Sequence, residues 1–404
     1  MRLVLTANGP GELAGWVRPL VRALQERDPA LDVHLFLVPD DYATGREAAY
    51  ARAAFPRATV YEPRDYLATA IGRGPAAVPR SADLVQYLGG DLMHAARLHR
   101  RFGGRAATYK FSRPAYSRRF ALAFAVDERN ARELIGWGMP PDRVRIVGNL
   151  AVDGALFDAA QTPEAGAPDD GILIMPGSRP YEIEHLVPLF FTAALRMVRE
   201  RPDLRVAFAI SPFTPDADLR AAIKRGGDPR VFAQPGRFEA TENGAWLTDT
   251  TGSVRLPVVR NAMAAAMRAR LVLTIPGTKV VELAALGRPV VAISPYNAPE
   301  MVTINGPLTY LDRIPLVGVP LKRAAVLAYA RRHRFHTQPN SDAGEALVCE
   351  VHGTLTPGRI ARVALERYDD RAWLQESARR LAALYAGDVG AAARMADALV
   401  ELAG

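Results

Sequence analysis

The sequence predicts an α/β fold made of two doubly wound domains, and three observations support this prediction. Short apolar runs of strand length alternate with stretches whose apolar residues follow helical spacing, which indicates a parallel sheet covered by helices on both faces. This alternation occurs twice, and a polar stretch, AAQTPEAGAPDD at 159–170, separates the two series. The length of 404 residues is also sufficient for two or three domains.

The first series covers residues 1–158 and begins with a buried strand at the start of the chain. Apolar residues then recur at helical spacing as far as Leu24. We expect the strands of the first domain at Met1–Thr6, Val33–Val38, Ala82–Leu88, Thr108–Phe111, Ala121–Val126 and Arg145–Val147.

The second series covers residues 171–369, and we interpret 159–170 as the linker between the domains. Residues 241–257 are expected to form a hairpin or a loop insertion, and residues 370–404 are strongly helical in pattern. We expect the strands of the second domain at Gly171–Met175, Val206–Ile210, Arg270–Ile275 and Val290–Ile293.

The composition is that of an ordinary globular protein and argues against several classes. Apolar residues make up 49% and charged residues 23% of the chain, both usual for soluble domains. No apolar run reaches the length of about 18 residues that a transmembrane helix needs, and the N-terminus lacks a signal-peptide pattern. The single cysteine, Cys349, excludes an internal disulfide framework. We therefore expect a cytoplasmic protein.

The net charge of +8 is concentrated in two segments. Residues 92–126 hold eight lysines and arginines and no acidic residue, and residues 301–340 hold six against one aspartate. Two positive surfaces on a slightly acidic body predict an anionic partner. A phosphorylated substrate, an anionic lipid and a nucleic acid are the candidates.

The segment NGPGE at residues 8–12 follows the first strand and partly matches the dinucleotide-binding pattern G-x-G-x-x-G/A. Pro10 removes one amide from this loop, and Glu12 would place a carboxylate where the pyrophosphate should lie. A plain turn between strand and helix is a second interpretation. A substrate-binding loop is the third, and it is the one that we favour.

Two loops of the second series share the pattern Pro-Gly-hydroxyl-base, at 176–179 and 276–279. Each lies between a predicted strand and a predicted helix, where the helix dipole and free amides favour a phosphate. The serine or threonine could also serve only as a helix cap. Two such loops in one domain favour a diphosphate site, although neither is a Walker A loop.

Two carboxylates are candidates for a chemical role. Glu282 lies one turn into a helix of apolar residues, so its charge needs a partner such as the hydroxyls of a ribose; a solvated helical glutamate is the alternative. Asp91 follows the strand ADLVQYL and could act as a general base or only as the N-cap of the next helix. No spacing of histidines, cysteines and acidic residues indicates a metal site.

Two basic segments also contain aromatic or apolar residues. RPAYSRR at 113–119 would suit RNA, but no RNA-binding signature accompanies it. Residues 306–337 combine an apolar body with a basic end, as in a segment that inserts shallowly into an anionic membrane surface. An ordinary buried helix with a solvated basic end is the alternative.

Four pieces of the sequence resemble the lipid-A-disaccharide synthase family, whose members are GT-B glycosyltransferases. They are GPGELAGWVRPLVRAL, RIVGNLAVD, ILIMPGSRPYEIEHL and IPGTKVVELAALGRPVV, in order from residue 9 to residue 291. The motifs PGSR-x-x-E and GT-x-x-x-E are the most specific parts of this resemblance.

The resemblance implies a GT-B fold of two Rossmann-like domains facing a cleft, with C-terminal helices over 370–404 crossing back to the first domain. It implies that Glu282 holds the ribose of a UDP-sugar, that Asp91 is the catalytic base, and that Glu12 also faces the anomeric carbon. The implied diphosphate-binding residues are Gly177, Ser178, Arg179, Gly277, Thr278 and Lys279, and the residues on the acceptor side are Asn8, Gly11 and Arg113.

The implied reaction is an inverting transfer, without metal or cofactor, of an N-acetylglucosamine-type sugar to a lipid-linked sugar. Both acylated and unacylated sugars are compatible with the resemblance. The protein would act as a peripheral protein at the anionic inner face of the cytoplasmic membrane, and no nucleic acid is expected as a partner. A homodimer is compatible with this picture. The rival hypotheses are a UDP-sugar 2-epimerase-like enzyme, a non-catalytic lipid- or RNA-binding protein on the same fold, and a dehydrogenase.

Overall fold

The chain folds into two compact units. The first combines Met1–Ala155 with Ala386–Gly404, and the second comprises Leu156–Tyr385. The computed structural model describes residues 1–39, 45–110, 119–226, 229–298 and 318–404.

Strands and helices alternate through both units, as predicted. The strands are β1 (Arg2–Ala7), β2 (Asp32–Leu37), β3 (Ala58–Tyr61), β4 (Leu84–Tyr87), β5 (Arg105–Tyr109), β6 (Leu122–Ala125), β7 (Val144–Ile146), β8 (Ile172–Met175), β9 (Val206–Ala209), β10 (Gly236–Thr241), β11 (Gly244–Asp249), β12 (Arg255–Val259), β13 (Leu271–Thr274), β14 (Val290–Pro295) and β15 (Cys349–Gly353). The helices are α1 (Pro10–Glu12), α2 (Arg18–Arg27), α3 (Glu47–Ala54), α4 (Pro63–Ala70), α5 (Leu92–Phe102), α6 (Glu128–Gly136), α7 (Leu150–Ala159), α8 (Pro180–Glu200), α9 (Asp216–Arg225), α10 (Ala262–Arg268), α11 (Thr278–Ala285), α12 (Gly318–Arg332), α13 (Gln338–Ala343), α14 (Pro357–Asp369), α15 (Arg371–Tyr385) and α16 (Ala391–Ala403).

The described strands of the first unit form a parallel sheet in the order β3-β2-β1-β4-β5-β6-β7. Its interior strand β1, RLVLTA, is buried from its second residue onward, as expected of a parallel strand that helices cover on both faces. The winding of the chain reverses between β1 and β4, which pair with each other. The loops after these two strands therefore flank the switch point, where doubly wound sheets bind their ligands.

The described strands of the second unit form a mixed sheet in the order β10-β11-β12-β9-β8-β13-β14-β15. β10, β11 and β12 make an antiparallel meander, and β12 joins the parallel part of the sheet beside β9. The switch point of this sheet lies between β8 and β13. The Thr274 hydroxyl donates a hydrogen bond to the Met175 carbonyl at 3.0 Å and so ties the ends of these two strands together.

The two sheets confirm the predicted α/β class and add strands that the sequence did not indicate. The hairpin expected at 241–257 is part of the meander that begins at β10. β3 and β15 were not predicted, because both are short edge strands whose residues are mostly only partly buried. Strands in such positions lack the continuous apolar run by which buried parallel strands are found. The predicted strand Thr108–Phe111 extends by its last residue beyond the described range.

The segment 159–170, expected to be a linker, belongs to the second unit. Asp170 pairs with Arg270, and the Glu164 carboxylate accepts a hydrogen bond of 2.6 Å from the backbone N–H of Asn261. The polar composition predicted a linker between the domains. It did not reveal that the acidic side chains hold this segment against the second unit.

Residues 370–404 divide between the two units instead of crossing together to the first. α15 remains in the second unit and packs against α11. α16 packs against α2 in the first unit, where the Asp153 carboxylate accepts hydrogen bonds from the backbone N–H groups of Gly390 and Ala392. The division falls at the turn Ala386–Asp388, which interrupts a stretch that looks continuously helical in the sequence.

The core of each unit lies between its sheet and the flanking helices. α8 is the clearest case in the second unit, since Phe190 and Phe191 are fully buried in the main apolar cluster. Among the described helices, none is both long and apolar enough to cross a membrane.

Candidate functional site

The loop after β1 folds around its own glutamate. Glu12 Oε2 accepts hydrogen bonds from the backbone N–H groups of Asn8, at 2.9 Å, and Gly9, at 3.3 Å. A glutamate in the third helical position that reaches back to the residue before the helix forms a capping box. The Glu12 carboxylate therefore holds the loop at the switch point of the first sheet.

The loop after β4 contacts the same carboxylate. A Cβ added to Gly89 would overlap the carboxylate of Glu12, so only a glycine fits at this position while Glu12 keeps its place. Gly90 has a φ of +82°, which glycine adopts without strain. These two glycines bring the loops after β1 and β4 together at the switch point.

Asp91 ends the loop after β4 and is exposed. Its Oδ1 accepts a hydrogen bond of 2.8 Å from the backbone N–H of Met93, so Asp91 caps α5 as one of its two interpretations predicted. His94 lies three residues after Asp91. His94, in the first turn of α5, is partly buried, and its Nδ1 lies 2.6 Å from the hydroxyl oxygen of Tyr66.

A third segment at this edge of the sheet follows β5. Lys110 has a φ of +47°, a conformation that costs free energy in a non-glycine residue and often marks a functional site. Its ammonium group lies 5.8 Å from the ring centroid of Trp16, which belongs to a π-helical turn, Leu13–Val17, between α1 and α2. Such turns are also frequent at functional sites. Neither feature was visible in the sequence pattern.

The remaining acceptor-side predictions have separate outcomes. Asn8 is part of the capped loop after β1, and Gly11 is exposed with open space around the position of a Cβ. Arg113 lies outside the described residues, as does the rest of the basic segment 111–118.

In the second unit the loop after β8 repeats the construction of the NGPGE loop. Glu182 Oε2 accepts hydrogen bonds from the backbone N–H groups of Ser178, at 2.7 Å, and Arg179, at 2.9 Å. Gly177 has a φ of +110°, and a Cβ on it would overlap the Glu182 carboxylate. The two amides that were expected to face a diphosphate are therefore already bonded to a side chain of the protein.

Glu182 is the main site residue that the sequence reasoning missed. It is only 6% exposed, and its Oε1 accepts a hydrogen bond of 3.0 Å from the Tyr181 hydroxyl. Burial, and next the negative charge of Glu182, raise the pKa of Tyr181 to about 12. The signal was present in the sequence, because a glutamate three residues after the residue that precedes a helix is the capping-box pattern.

The loop after β13 is different, although it carries the same sequence pattern. No described side chain caps α11, and Gly277, which precedes the helix, has an extended backbone with open space around the position of a Cβ. Gly277 and Thr278 are both exposed. The N-terminal turn of α11 therefore offers backbone N–H groups at the positive end of the helix dipole.

Glu282 lies one turn into α11 and is only 4% exposed. Its Oε2 is 2.5 Å from the ammonium nitrogen of Lys279. The buried carboxylate thus has the partner that its surroundings demand, and the partner is a side chain that was itself predicted to bind the diphosphate. The structure brings Gly277, Thr278, Lys279 and Glu282 together in one helical turn.

The described residues contain no group of three or more histidine, cysteine, aspartate or glutamate side chains arranged to hold a metal ion.

The predicted membrane segment 306–337 is described only from residue 318. In α12, Val319 and Leu321 are exposed, while Lys322 and Val326 are buried. Arg331 and Arg332 at the end of this helix are exposed as well. α12 therefore combines exposed apolar side chains at its start with exposed positive charge at its end.

Comparisons with known proteins show similarity mainly at the level of the fold. No family model matches the chain. The lipid-A-disaccharide synthase of Ruegeria pomeroyi is 31% identical over 140 residues, which are 33% of this chain and 31% of that protein. The match therefore spans about a third of the length of this curated relative.

Solved structures match over nearly the whole chain. MnaA from S. aureus, solved with UDP, has 16% identity and a TM-score of 0.58, with coverage of 100% of this chain and 98% of that one. The UDP-GlcNAc 2-epimerase of Neisseria meningitidis, bound to UDP-GlcNAc, has 12% identity and a TM-score of 0.55, with coverage of 99% and 100%. The UDP-GlcNAc 2-epimerase of Methanocaldococcus jannaschii, in complex with UDP-GlcNAc and UDP, has 14% identity and a TM-score of 0.57, again with 99% and 100%. At these identities the likeness concerns the fold, and it confirms the predicted GT-B class.

Proposed function

We propose that this protein is an inverting, metal-independent glycosyltransferase. It would transfer an N-acetylglucosamine-type sugar from UDP to a lipid-linked sugar. The partial similarity to a protein named lipid-A-disaccharide synthase supports this type of reaction. The observation that carries the proposal is the N-terminal turn of α11, where uncapped amides, Lys279 and the buried carboxylate of Glu282 lie together beside a switch point.

This turn suits the diphosphate and ribose of a UDP-sugar. The uncapped N–H groups and the dipole of α11 favour the phosphates, and the ammonium group of Lys279 adds charge. Glu282 can accept hydrogen bonds from two ribose hydroxyls. Donor binding would draw Lys279 towards the phosphates and leave the Glu282 carboxylate for the ribose.

The loop after β8 would contribute side chains instead of amides. Glu182 already accepts hydrogen bonds from the amides of Ser178 and Arg179. The Ser178 hydroxyl and the Arg179 guanidinium are the side-chain groups of this loop that would contact the diphosphate. In this proposal Gly177 serves to admit the Glu182 carboxylate.

The acceptor would bind at the switch point of the first unit, where the loops after β1 and β4 meet. Its hydroxyl oxygen forms a bond to the anomeric carbon while the bond from that carbon to the diphosphate breaks, and the hydroxyl proton moves to a base in the loop after β4. The resemblance points to Asp91 as this base. Amides and cationic side chains would stabilise the departing UDP.

The lipid part of the proposal draws on α12. Its exposed apolar and basic side chains suit a shallow contact with an anionic leaflet, such as the inner face of the cytoplasmic membrane. Binding to vesicles that contain phosphatidylglycerol, but not to vesicles of phosphatidylcholine alone, is the behaviour that this contact requires.

A calorimetric titration with UDP, UDP-GlcNAc and NAD, without added metal, tests the proposed function. We expect micromolar binding of UDP and no binding of NAD. Glu282→Gln should weaken UDP binding at least tenfold, about 1.4 kcal/mol, because the amide no longer carries the charge that organises Lys279 and accepts the ribose hydroxyls. The matched control is Asp91→Asn, which removes a carboxylate charge from the first unit and should leave the UDP affinity unchanged.

Absence of UDP binding would contradict the proposal, and so would a larger loss of affinity in Asp91→Asn than in Glu282→Gln. The first result would mean that the turn of α11 is only a helix start. The second would mean that the donor binds to the first unit.

A UDP-sugar 2-epimerase is the second candidate function. The observation that favours it is the likeness to two solved UDP-GlcNAc 2-epimerases over 99% of this chain. The products formed from UDP-GlcNAc alone separate the two functions. An epimerase would release a 2-epimer without any acceptor, whereas a transferase should leave the configuration at C2 unchanged.

A further inference from the structure

The pair His94 and Tyr66 has no role in the function proposed so far. Their rings stand almost perpendicular, at 89°, with centroids 4.8 Å apart, and His94 Nδ1 lies 2.6 Å from the Tyr66 hydroxyl oxygen. Tyr66 is fully buried on α4, and His94 is partly buried on α5. This hydrogen bond fixes the orientation of the imidazole. Because a hydroxyl can either donate or accept, both tautomers of His94 are compatible with the contact.

The opposite edge of the imidazole faces the loop after β4. Cδ2 of His94 lies 3.7 Å from the position that a Cβ on Gly90 would occupy. Nε2 is bonded to Cδ2, so it lies on the side of the ring away from Tyr66. In the part of the chain that the structure describes, no hydrogen bond to Nε2 is present. This nitrogen therefore keeps its hydrogen-bonding capacity on the side of the ring that faces the loop after β4.

The charges around the imidazole suit a group that accepts a proton and then returns it. Burial lowers the pKa of His94, the negative charge of Asp91 opposes this effect, and the positive charge of Arg97 adds to it. The net effect favours the neutral form of the ring relative to an ordinary histidine. Burial also raises the pKa of the Tyr66 hydroxyl, and the positive charge of Arg97 opposes this rise.

Asp91 is less well suited to take the proton itself. One of its oxygens is occupied by the backbone N–H of Met93, and the residue is exposed to water. A carboxylate is in general a much weaker base than an imidazole, and a general base works best when its pKa lies near the operating pH. The negative charge of Asp91 is nevertheless close enough to His94 to stabilise an imidazolium ion.

We propose that His94 Nε2, and not the Asp91 carboxylate, accepts the proton of the acceptor hydroxyl. This inference rests on the proposed transferase function. In the proposed mechanism the Tyr66 hydroxyl oxygen accepts a hydrogen bond from Nδ1–H, and the lone pair of Nε2 is then free to take the proton. As the acceptor oxygen bonds to the anomeric carbon and UDP departs with the electron pair of the broken bond, the hydroxyl proton moves to Nε2. Asp91 then stabilises the imidazolium ion until the proton returns to water.

The test is the pH dependence of UDP release from UDP-GlcNAc, with octyl glucoside or water as the acceptor. The wild-type rate should rise with pH through a pKa below the ordinary histidine value of about 6.5, since the imidazole must be neutral. His94→Gln should lower kcat at least 100-fold, within the usual range for a general base, and abolish this pH dependence. Its UDP affinity, measured by calorimetry, should stay within twofold of wild type, which also shows that the variant folds.

Three further variants make the test specific. Tyr66→Phe should lower kcat several-fold. It should also shift the rise of the rate with pH to lower pH, because the imidazolium loses the oxygen that accepts a hydrogen bond from its Nδ1–H. Asp91→Asn should lower kcat about tenfold, since asparagine caps a helix as well as aspartate does and only the charge is lost. His99→Gln is the matched control on the same helix. His99 Nε2 bonds to the Gly104 carbonyl, so this variant should keep the wild-type rate and profile.

The outcomes separate this inference from the function on which it rests. If His94→Gln retains a rate within threefold of wild type and the same pH profile, while Asp91→Asn abolishes UDP release, the base is Asp91 and only the inference is wrong. If the wild type neither binds UDP nor releases it from UDP-GlcNAc, the proposed function is wrong and the inference falls with it.

Discussion

The loops after β8 and β13 have the same Pro-Gly-hydroxyl-base pattern but differ in structure. In the first, the Glu182 carboxylate accepts hydrogen bonds from the amides of Ser178 and Arg179. In the second, no described side chain caps α11, and the nearest carboxylate, Glu282, pairs with Lys279 instead. A difference of two residues in position decides the outcome, because a glutamate at the third helical residue reaches back to the loop and one at the fifth does not.

The loop after β1 in the first unit belongs with the loop after β8. Glu12 and Glu182 each stand at the third position of a helix and bond to two amides of the preceding loop. In each case a glycine makes room for the carboxylate, Gly89 from a neighbouring loop and Gly177 from the same one. Each unit therefore satisfies the loop after its first strand internally, whereas no described side chain caps the helix that follows β13.

Among the variants that distinguish the two loops, removal of the Glu182 carboxylate should have the largest effect on the free energy of unfolding. Glu182→Ala leaves two loop amides without their charged acceptor, and we expect a loss of about 3 kcal/mol in the free energy of unfolding. Glu184→Ala is the control on the same helix. Glu184 is half-exposed and pairs with Arg225 at 3.1 Å, and an exposed pair of this kind contributes less than about 1 kcal/mol.

Urea-induced unfolding of both variants measures the difference. Equal losses in the two variants would contradict the account, since they would mean that the capping contact contributes no more than a surface ion pair. A low stability that UDP fully restores would also contradict it, because it would place the donor phosphates on the amides that Glu182 occupies.

The two glycines of the look-alike loops should respond differently to the same substitution. Gly177→Ala puts a side chain at a φ of +110° and against the Glu182 carboxylate, so we expect a loss of about 2 kcal/mol. Gly277→Ala has an extended backbone and open space, so its stability should stay within about 0.5 kcal/mol of wild type. Thermal unfolding of the pair measures both effects.

UDP affinity should respond in the reverse order, with a larger loss in Gly277→Ala than in Gly177→Ala. Gly277→Ala places a methyl group where the phosphates would approach α11, and it should weaken UDP binding in calorimetry although it barely changes stability. A destabilised Gly277→Ala that binds UDP normally would show that the roles of the two loops have been exchanged.

The sequence predicted the fold well because the information lay in patterns that repeat along the chain. Buried parallel strands such as β1 and β8 are continuous apolar runs, and the alternation with helices defined two doubly wound units. The edge strands β3 and β15 were missed because partly exposed strands lack such runs. The end of the second unit was misplaced because the short turn Ala386–Asp388 leaves no mark in a helical pattern.

The sequence drew attention to individual residues of the candidate site but not to the contacts between them. The motifs drew attention to Glu12, Asp91 and Glu282, and the structure places each of them at the switch-point edge of its own sheet. The pairing of Lys279 with Glu282 and the hydrogen bond between His94 and Tyr66 depend on side-chain directions and on packing between separate helices. One sequence contains no such information, and it gave His94 no more weight than any other histidine.

Hydrogen exchange of the backbone amides, with and without UDP, tests the central claim most directly. The account predicts that UDP slows exchange at Gly277, Thr278 and Lys279 and leaves the amides of Ser178 and Arg179 unchanged, because Glu182 already protects them. Slower exchange in the loop after β8 or in the NGPGE loop, with no change at the start of α11, would contradict the assignment of the donor site.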